Sequence, residues 1–465
     1  MSNPTTIDLA EIIESRPLGR PIVQLVLACA LVTFFDGYDM FVMSFAAPYF
    51  APEYHLGKIA LGHIFSAAIA GTLVGGFLFG PLGDRIGRRR AIILSTALFG
   101  ALTLALPLAS GYWPFVGLRF AAGLALGGAI PLTWALGTEF VASRYRATVV
   151  TLIMLGYGLG VSAAGPVSVL LIPRFGWLSV FAAGGAASLV AAAALLALLP
   201  ESLRYLATSG GDPEALARAV RRFVGERDAP SAARYVLSDE SQSAGRPSDA
   251  LTKFVRNVPA LFEGELSRIT PLLWLAYAVS SITTFFLASW GPILFEGLGF
   301  ARNSAAWLTT ANSIAGMCGG LMVMRFTDRI GVVSLSIVSL IAVPLLLVIG
   351  FAHTGESAFV ALLLVLGLFL SGSHFGITSI TGIFYPTAYR GLGTGWASSV
   401  AKIGSIAGPW IGGIVLASHL PLKHIFALMA ICPAVLCVCL LGLGLIELRG
   451  RRRAVAVARP AAQAP

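Results

Sequence analysis

Two aspartates inside a strongly apolar stretch are the residues of this sequence best suited to chemistry. Asp36 and Asp39 stand three residues apart in Asp36-Gly37-Tyr38-Asp39, with long apolar runs on either side. On a helix, residues three apart share a face, so the two carboxyls are expected to lie side by side. Two neighbouring carboxylates in a medium of low dielectric constant resist ionising together, which makes the pair a candidate for exchanging a proton. The alternative is a structural ion pair with Arg119.

Two basic side chains also interrupt apolar stretches. Arg119 is predicted either to bind an anionic ligand or to neutralise the aspartates. No acidic residue lies in the interior of the apolar segments around Lys402, so an anionic ligand, such as a carboxylate, is its expected partner. The alternative is that the long lysine side chain extends along its helix toward the aqueous surface.

The composition identifies the elements that must position these residues. Of the 465 residues, 57% are hydrophobic and 12% are charged, and the mean hydropathy is +0.83. A soluble chain carries about twice this share of charge, so most of the surface must face lipid. A helix needs about 20 apolar residues to cross the hydrocarbon core. Twelve segments qualify, at 22–48, 58–80, 91–110, 112–137, 147–171, 177–199, 270–294, 304–325, 332–352, 358–382, 391–417 and 424–446.

Lysine and arginine are distributed very unevenly between the loops. The two tails and the loops on their side carry 26 of them, whereas the opposite loops carry only Lys58, Arg174, Arg302 and Lys423. Basic loops remain in the cytoplasm, so both termini are predicted to be cytoplasmic, in the inner membrane. The bias also accounts for the net charge of +10 without nucleic acid. The polar first 20 residues lack the features of a signal peptide, so the first span is predicted to be retained.

The longest polar stretch separates six spans from six. We therefore predict an all-α membrane protein made of two six-helix pseudo-repeats. Its parts are a cytoplasmic tail at 1–21, a bundle at 22–199, a cytoplasmic linker at 200–269, a second bundle at 270–446 and a second tail at 447–465.

An internal repeat supports this division. Asp84-Arg85-Ile86-Gly87 recurs as Asp328-Arg329-Ile330-Gly331, an offset of 244 residues. Tyr145-Arg146 recurs at the same offset as Tyr389-Arg390, and so does Gly160 as Gly404. Parallel halves of this kind place a ligand near the membrane midplane, between the repeats.

One segment carries a family resemblance. The run from Gly80 to Arg90, Gly-Pro-Leu-Gly-Asp-Arg-Ile-Gly-Arg-Arg-Arg, resembles the loop between spans two and three of the major facilitator superfamily. Pro200-Glu201-Ser202-Leu203-Arg204 resembles a further recurrent motif after span six. The resemblance implies the twelve-helix major facilitator fold and transport by alternating access. It also implies a conformational role for a set of charged and small residues, namely Gly83, Asp84, Arg85, Arg88, Glu139, Asp328 and Arg390.

Further segments narrow the resemblance to the aromatic acid–proton symporters. The matching segments are Asp36-Gly37-Tyr38-Asp39, the paired charges Arg119 and Glu139, Tyr385-Pro386-Thr387 with Arg390 and Gly395-Trp396, and the tail from Ile7 to Arg20. The sequence departs from that family at Lys402, where an arginine is usual. A positive charge remains there, but the two-pronged guanidinium does not.

From their charges and positions, we expect one aspartate of the pair to carry the driving proton, and Arg119 and Lys402 to contact the substrate carboxylate, with the alternatives given above. Tyr38 and Trp396 are the aromatic side chains expected to contact a flat substrate. His374 is predicted to join a proton path or to hydrogen-bond a phenolic substrate, the alternative being a histidine satisfied within the bundle.

We therefore expect a proton-coupled importer of an aromatic carboxylate such as a hydroxybenzoate. Its partners would be the acid, protons and the lipid bilayer, with no nucleic acid, no cofactor and no metal, and the chain would act as a monomer. The alternatives are transport of another organic anion, nicotinate or a sugar, or export. A sensor should carry a signalling domain, and an enzyme should show a clustered catalytic motif. Neither is found in the sequence, and no phosphate-binding loop points to ATP.

Overall fold

The computed structural model describes residues 6–15, 18–109, 111–208, 213–224, 234–236, 256–352, 355–386 and 389–461. Long helices dominate, and each predicted span corresponds to helical structure. Spans one to six are Arg20–Glu53, Lys58–Ile86, Arg88–Leu104, the pair Tyr112–Leu126 and Ala129–Glu139, Ser143–Phe175, and Leu178–Leu198. Spans seven to twelve are Leu266–Gly297, Arg302–Ile330, Val333–Phe351, Glu356–Phe384, Arg390–Ala417 and Leu422–Ala461.

Eleven spans of the described chain are long and apolar enough to cross a membrane. The remaining one, span eight, is 29 residues long but carries more polar residues, such as Asn303 and Asn312. The predicted all-α, twelve-span architecture is confirmed.

Span four is broken in the middle at two glycines. The first helix ends at Leu126 and the second begins at Ala129, with Gly127 and Gly128 between them. A Cβ at Gly127 would overlap the backbone of span two, so the close approach of the two spans requires glycine there. Glycine is also a weak helix former, which allows the break.

The internal repeat is visible in the helix boundaries. Span two ends at Ile86 and span eight ends at Ile330, 244 residues later. The next residue in each case is a glycine in the left-handed region, with φ of 97° at Gly87 and 87° at Gly331. Glycine adopts a positive φ of this kind at little steric cost, because it has no Cβ.

The helices form two compact units. The first contains residues 1–42 and 67–250, and its apolar core joins spans one to six to the polar tail and linker. Leu9 of the tail is 1% exposed, and it belongs to the same core as Leu216 and Val220 of the linker helix Pro213–Val224. Two short pieces, Leu9–Glu14 in the tail and Leu203–Thr208 after span six, are also helical.

The tail is tied down by polar contacts as well. Strand β1, Thr6–Asp8, pairs in parallel with strand β2, Arg234–Val236. Glu14 then accepts hydrogen bonds from the backbone N–H (2.9 Å) and hydroxyl (2.6 Å) of Ser143. These contacts place a carboxylate at the N-terminus of span five, where the exposed N–H groups of a helix favour negative charge. The sequence did not predict either the ladder or this contact.

The second unit contains residues 43–66 and 251–465, which include the end of span one and the start of span two. Ser66 donates a 2.8 Å hydrogen bond to the carbonyl of Ile406, and Trp290 Nε1 donates one of 3.0 Å to the carbonyl of Pro409.

The guanidinium of Arg302 lies 4.6 Å from the centre of the Tyr49 ring. Arg302 also pairs with Glu296 at 3.2 Å. Spans seven and eleven pack closely, with the backbone at Gly404 and Gly408 against span seven.

Candidate transport site

The first unit holds a buried ion pair between span one and span four. Arg119 Nη1 donates a 2.6 Å hydrogen bond to Asp39 Oδ1, and Nη2 lies 3.5 Å from the backbone carbonyl of Asp39. The Arg119 and Asp39 side chains are only 1% and 3% exposed. Arg119 Nε is buried and has no hydrogen-bond partner among the described residues. One edge of the guanidinium is therefore engaged, and a donor remains for a further acceptor.

The other predicted residues of span one have different surroundings. Asp36 is 5% exposed and interacts electrostatically with Tyr157 of span five. The hydroxyl of Tyr38 donates a 3.0 Å hydrogen bond to the carbonyl of Val180, so Tyr38 is anchored against span six. Arg119 therefore contacts Asp39, while Tyr38 is held by a hydrogen bond to span six.

Close helix packing fixes the positions of Asp39 and Arg119. Gly37 lies against the carbonyl of Tyr157, and Gly160 lies against the carbonyl of Phe34, so spans one and five touch backbone to backbone. A Cβ at either glycine would overlap the opposite helix. Such small-residue contacts are a usual basis of helix association in membranes.

A second group of polar side chains joins spans seven and ten within the second unit. The hydroxyl of Ser280 and Nδ1 of His374 are 2.7 Å apart, and the hydroxyls of Tyr277 and Thr381 are also 2.7 Å apart. Trp396 of span eleven stacks on Trp274 with ring centres 5.9 Å apart. Lys402, six residues further along span eleven, is half-buried.

The predicted conformational residues form a cluster at the predicted cytoplasmic end of the first unit. Glu139 pairs with Arg88 and accepts a 2.6 Å hydrogen bond from the hydroxyl of Ser202. Glu201 accepts hydrogen bonds from the backbone N–H groups of Arg89 (3.1 Å) and Ser202 (3.0 Å). The cluster therefore joins the start of span three, the end of span four and the segment after span six.

The remaining members of the predicted set are arranged around this cluster or in the second repeat. Gly83 is buried against Leu132, while Asp84 and Arg85 are exposed. Asp84 interacts electrostatically with Arg88. Arg390 is exposed at the start of span eleven. Asp328 lies in span eight, and its side chain falls outside what the structure describes.

Arg119 and Glu139, which look like a pair in the sequence, have separate partners. Arg119 contacts Asp39, and Glu139 contacts Arg88. Sequence reasoning also missed Ser280 as the partner of His374. Its signal was present in the run Ser280-Ser281-Ile282-Thr283-Thr284, which is unusually polar for the middle of a span.

Two compact bundles of long apolar helices, a sequence repeat, and a buried ion pair between two spans are typical of a multi-pass membrane transporter. Within the described ranges, no three His, Cys, Asp or Glu side chains are grouped so that they could hold a metal ion. The sequence matches the family model of the Major Facilitator Superfamily over residues 29–269 and 273–464. The chain therefore belongs to the major facilitator superfamily, a family of transporters rather than enzymes.

Relatives and solved structures agree with this assignment. The chain is 31% identical to the 4-hydroxybenzoate transporter PcaK of Pseudomonas aeruginosa over 88% of its own length and 90% of that protein. It is 30% identical to the gallate transporter of Pseudomonas putida, covering 91% and 92% of the two chains. Its fold is similar to that of the xylose transporter XylE of E. coli, with a TM-score of 0.67 and 16% identity over 90% of this chain and 97% of that one.

Proposed function

We propose that this chain is a symporter that imports an aromatic carboxylate together with a proton. The observation that carries the proposal is the buried contact between Arg119 and Asp39. The guanidinium of arginine binds carboxylates well, and here it already binds the carboxylate of Asp39. A substrate carboxylate and Asp39 are chemically equivalent partners for this guanidinium.

The charge balance of this contact explains how a proton and an anion would travel together. Arg119 and Asp39 neutralise each other, so a substrate anion entering beside them would add an uncompensated negative charge in a region where charge is costly. Protonation of Asp39 removes its charge and releases Arg119, whose fork then binds the substrate carboxylate. Loss of the proton restores the pair and displaces the substrate. Asp39 is therefore the proposed proton carrier, with Asp36 as its neighbour on the same helix.

The rest of the proposal follows from the predicted topology. The excess of Lys and Arg on the side of the two tails supports cytoplasmic termini in the inner membrane. Protons enter the cytoplasm down their gradient, so symport drives import. Lys402 is a second proposed contact for the substrate anion, and Trp396 is a proposed aromatic contact. The cluster around Glu139 is proposed to stabilise one conformation of the transport cycle. We propose that the monomer is the working unit.

The names of the relatives support an aromatic acid as substrate. Those relatives are named for 4-hydroxybenzoate, gallate, 3-(3-hydroxyphenyl)propionate, benzoate and gentisate. A niacin transporter is also similar, at 24% identity, so nicotinate is the second candidate substrate. The similarity to the xylose transporter shows the fold alone.

Uptake into proteoliposomes tests the proposal. Wild-type protein would be given labelled 4-hydroxybenzoate, benzoate, nicotinate and xylose, with and without an imposed pH gradient and a protonophore. We expect accumulation of an aromatic acid that collapses with the protonophore. Asp39→Asn should lose gradient-driven accumulation, yet retain exchange of internal for external substrate, because exchange moves no net proton. Uptake that occurs only when the pH gradient is reversed would contradict import driven by proton entry.

A matched variant separates coupling from general damage. Glu263→Gln makes the same carboxyl-to-amide change at an exposed loop position and should leave uptake unchanged. If Asp39→Asn accumulates substrate as well as Glu263→Gln does, Asp39 is not the proton carrier. If wild-type protein accumulates only xylose, the aromatic acid assignment is wrong, and if it accumulates only nicotinate, the second candidate substrate replaces the hydroxybenzoates.

A further inference from the structure

Side-chain hydrogen bonds join spans seven and ten at successive levels. At one level, Tyr277 pairs with Thr381, and both side chains are buried, at 4% and 1% exposed. At the next level, Ser280 pairs with His374. The first pair is fully enclosed between the helices, so its hydroxyls satisfy each other. The second pair differs because the imidazole ring of His374 carries a second nitrogen, Nε2.

His374 has one nitrogen committed and one available. Its Nδ1 is held by the Ser280 hydroxyl at 2.7 Å, while Nε2 has no hydrogen bond to any residue that the structure describes. His374 is partly buried. In a neutral imidazole, whichever nitrogen carries the proton, the other accepts. A hydroxyl group can donate or accept, so it complements Nε2 in either tautomer, whereas a carboxylate can only accept.

Thr284 supplies a second polar atom on the same face of span seven. It lies four residues after Ser280, so the two side chains point the same way. Its Oγ1 is buried and lacks a partner among the described residues. Its neighbour Thr283, by contrast, bonds the carbonyl of Val279 at 2.9 Å, which is the usual way for a threonine to be satisfied within a helix. A buried hydroxyl left without a partner destabilises the protein, and a ligand hydroxyl would remove that penalty.

These groups lie near the middle of their helices, at the depth where transporters of parallel repeats bind substrate. We propose that Ser280, His374 and Thr284 form a binding site for the ring hydroxyl of the substrate, so that the transported class is hydroxylated aromatic carboxylates rather than aromatic carboxylates in general. This inference rests on the proposed function and assigns the specificity within it. Ser280 acts here as a positioning residue that fixes the imidazole of His374.

The test compares two acids that differ only in the hydroxyl, 4-hydroxybenzoate and benzoate. Uptake into proteoliposomes would give Vmax/KM for each acid with wild type, His374→Phe, Ser280→Ala and Thr284→Val. Thr381→Val is the matched control, since it removes a hydroxyl from the neighbouring enclosed pair. Wild type should prefer 4-hydroxybenzoate by about tenfold, as expected for hydrogen bonds lost in a buried site. His374→Phe and Thr284→Val should reduce that preference to about twofold with benzoate uptake little changed, and Thr381→Val should preserve it.

The outcomes separate this inference from the proposed function. Equal transport of both acids by wild type, or an unchanged preference in His374→Phe and Thr284→Val, would overturn the specificity site while leaving aromatic acid symport intact. Equal loss of both acids in folded His374→Phe would also overturn it, in favour of a proton relay. If His374→Phe does not fold, the near-isosteric Thr284→Val decides. Absence of any aromatic acid uptake by wild type would refute the proposed function, and the specificity site with it.

Discussion

Arg119 and Asp39 are 80 positions apart in the sequence, yet Arg119 Nη1 lies 2.6 Å from Asp39 Oδ1. The contact joins span four to span one in the interior of the first unit. A buried pair of this kind is neutral as a whole, but each member alone is an uncompensated charge. Removing one member should therefore destabilise the protein more than removing both members together.

Arg119→Gln should destabilise the protein by about 3–5 kcal/mol, because Asp39 is left buried without its partner. The double variant Asp39→Asn with Arg119→Gln should recover most of that loss, since both charges are then absent. Thermal unfolding of the purified protein in detergent would measure both variants. Neither should accumulate substrate against a gradient. Equal melting temperatures for wild type and Arg119→Gln would show that the pair does not stabilise the fold.

Gly160→Ala should reduce the yield of folded protein, because a methyl group there would overlap the carbonyl of Phe34 on span one. Overpacking typically costs about 1–3 kcal/mol. Gly117→Ala is the matched control, since nothing lies within 4 Å of its added Cβ. Size-exclusion chromatography and thermal unfolding would measure both variants. Similar behaviour of the two would contradict the close crossing of spans one and five.

Glu139→Gln should lower the maximal rate of uptake about tenfold while changing substrate affinity less than twofold, a rate loss that corresponds to ~1.4 kcal/mol in the barrier. The reason is that Glu139 contacts Arg88 and Ser202 at the ends of the spans, away from the Asp39–Arg119 pair. Initial uptake rates and equilibrium binding of labelled substrate would separate the two effects. Glu263→Gln, the same carboxyl-to-amide change at an exposed loop position, is the control. A large rise in KM at unchanged Vmax would place Glu139 in substrate binding instead.

Docking of the N-terminal tail should depend on pH through Glu14. The hydrogen bonds from the side chain and backbone of Ser143, with nearby Arg144 and Arg146, hold the pKa of Glu14 below its usual range. The docked state therefore favours the carboxylate. Its stabilisation is complete above the pKa of the undocked residue, about 4.3, and is lost as pH falls through the lower pKa of the docked residue. Hydrogen exchange of the tail, corrected for intrinsic rates, should show protection at pH 7 that decreases in strong acid.

Glu14→Gln should weaken tail protection at pH 7 and remove this pH dependence. Glu11→Gln, at an exposed position of the same short helix, is the control and should behave as wild type. Protection that is identical in Glu14→Gln and wild type would show that the contact with Ser143 does not hold the tail.

The parts of the structure that depend on local pattern were predictable. Apolar runs long enough to span a bilayer defined the helices, and the repeated Asp-Arg-Ile-Gly segment placed the equivalent ends of spans two and eight. The partners of individual side chains were less accessible, because helix rotation decides them. Rotation of span one turns Tyr38 toward Val180 on span six while Asp39 faces Arg119. Periodicity also could not show that Ser280 holds His374, since many rotations of spans seven and ten agree with the same apolar pattern.

The parallel ladder between Thr6–Asp8 and Arg234–Val236 has a consequence for biosynthesis. Its two strands are 228 positions apart, so the first strand leaves the ribosome long before its partner exists. At about 5–20 residues per second, the delay is roughly 10–45 s. During that interval six helices must enter the membrane while the start of the chain waits unpaired. The ladder therefore closes only after the first bundle has been inserted. A bulky tag fused to the N-terminus would interfere with this strand pairing rather than with the insertion of the helices.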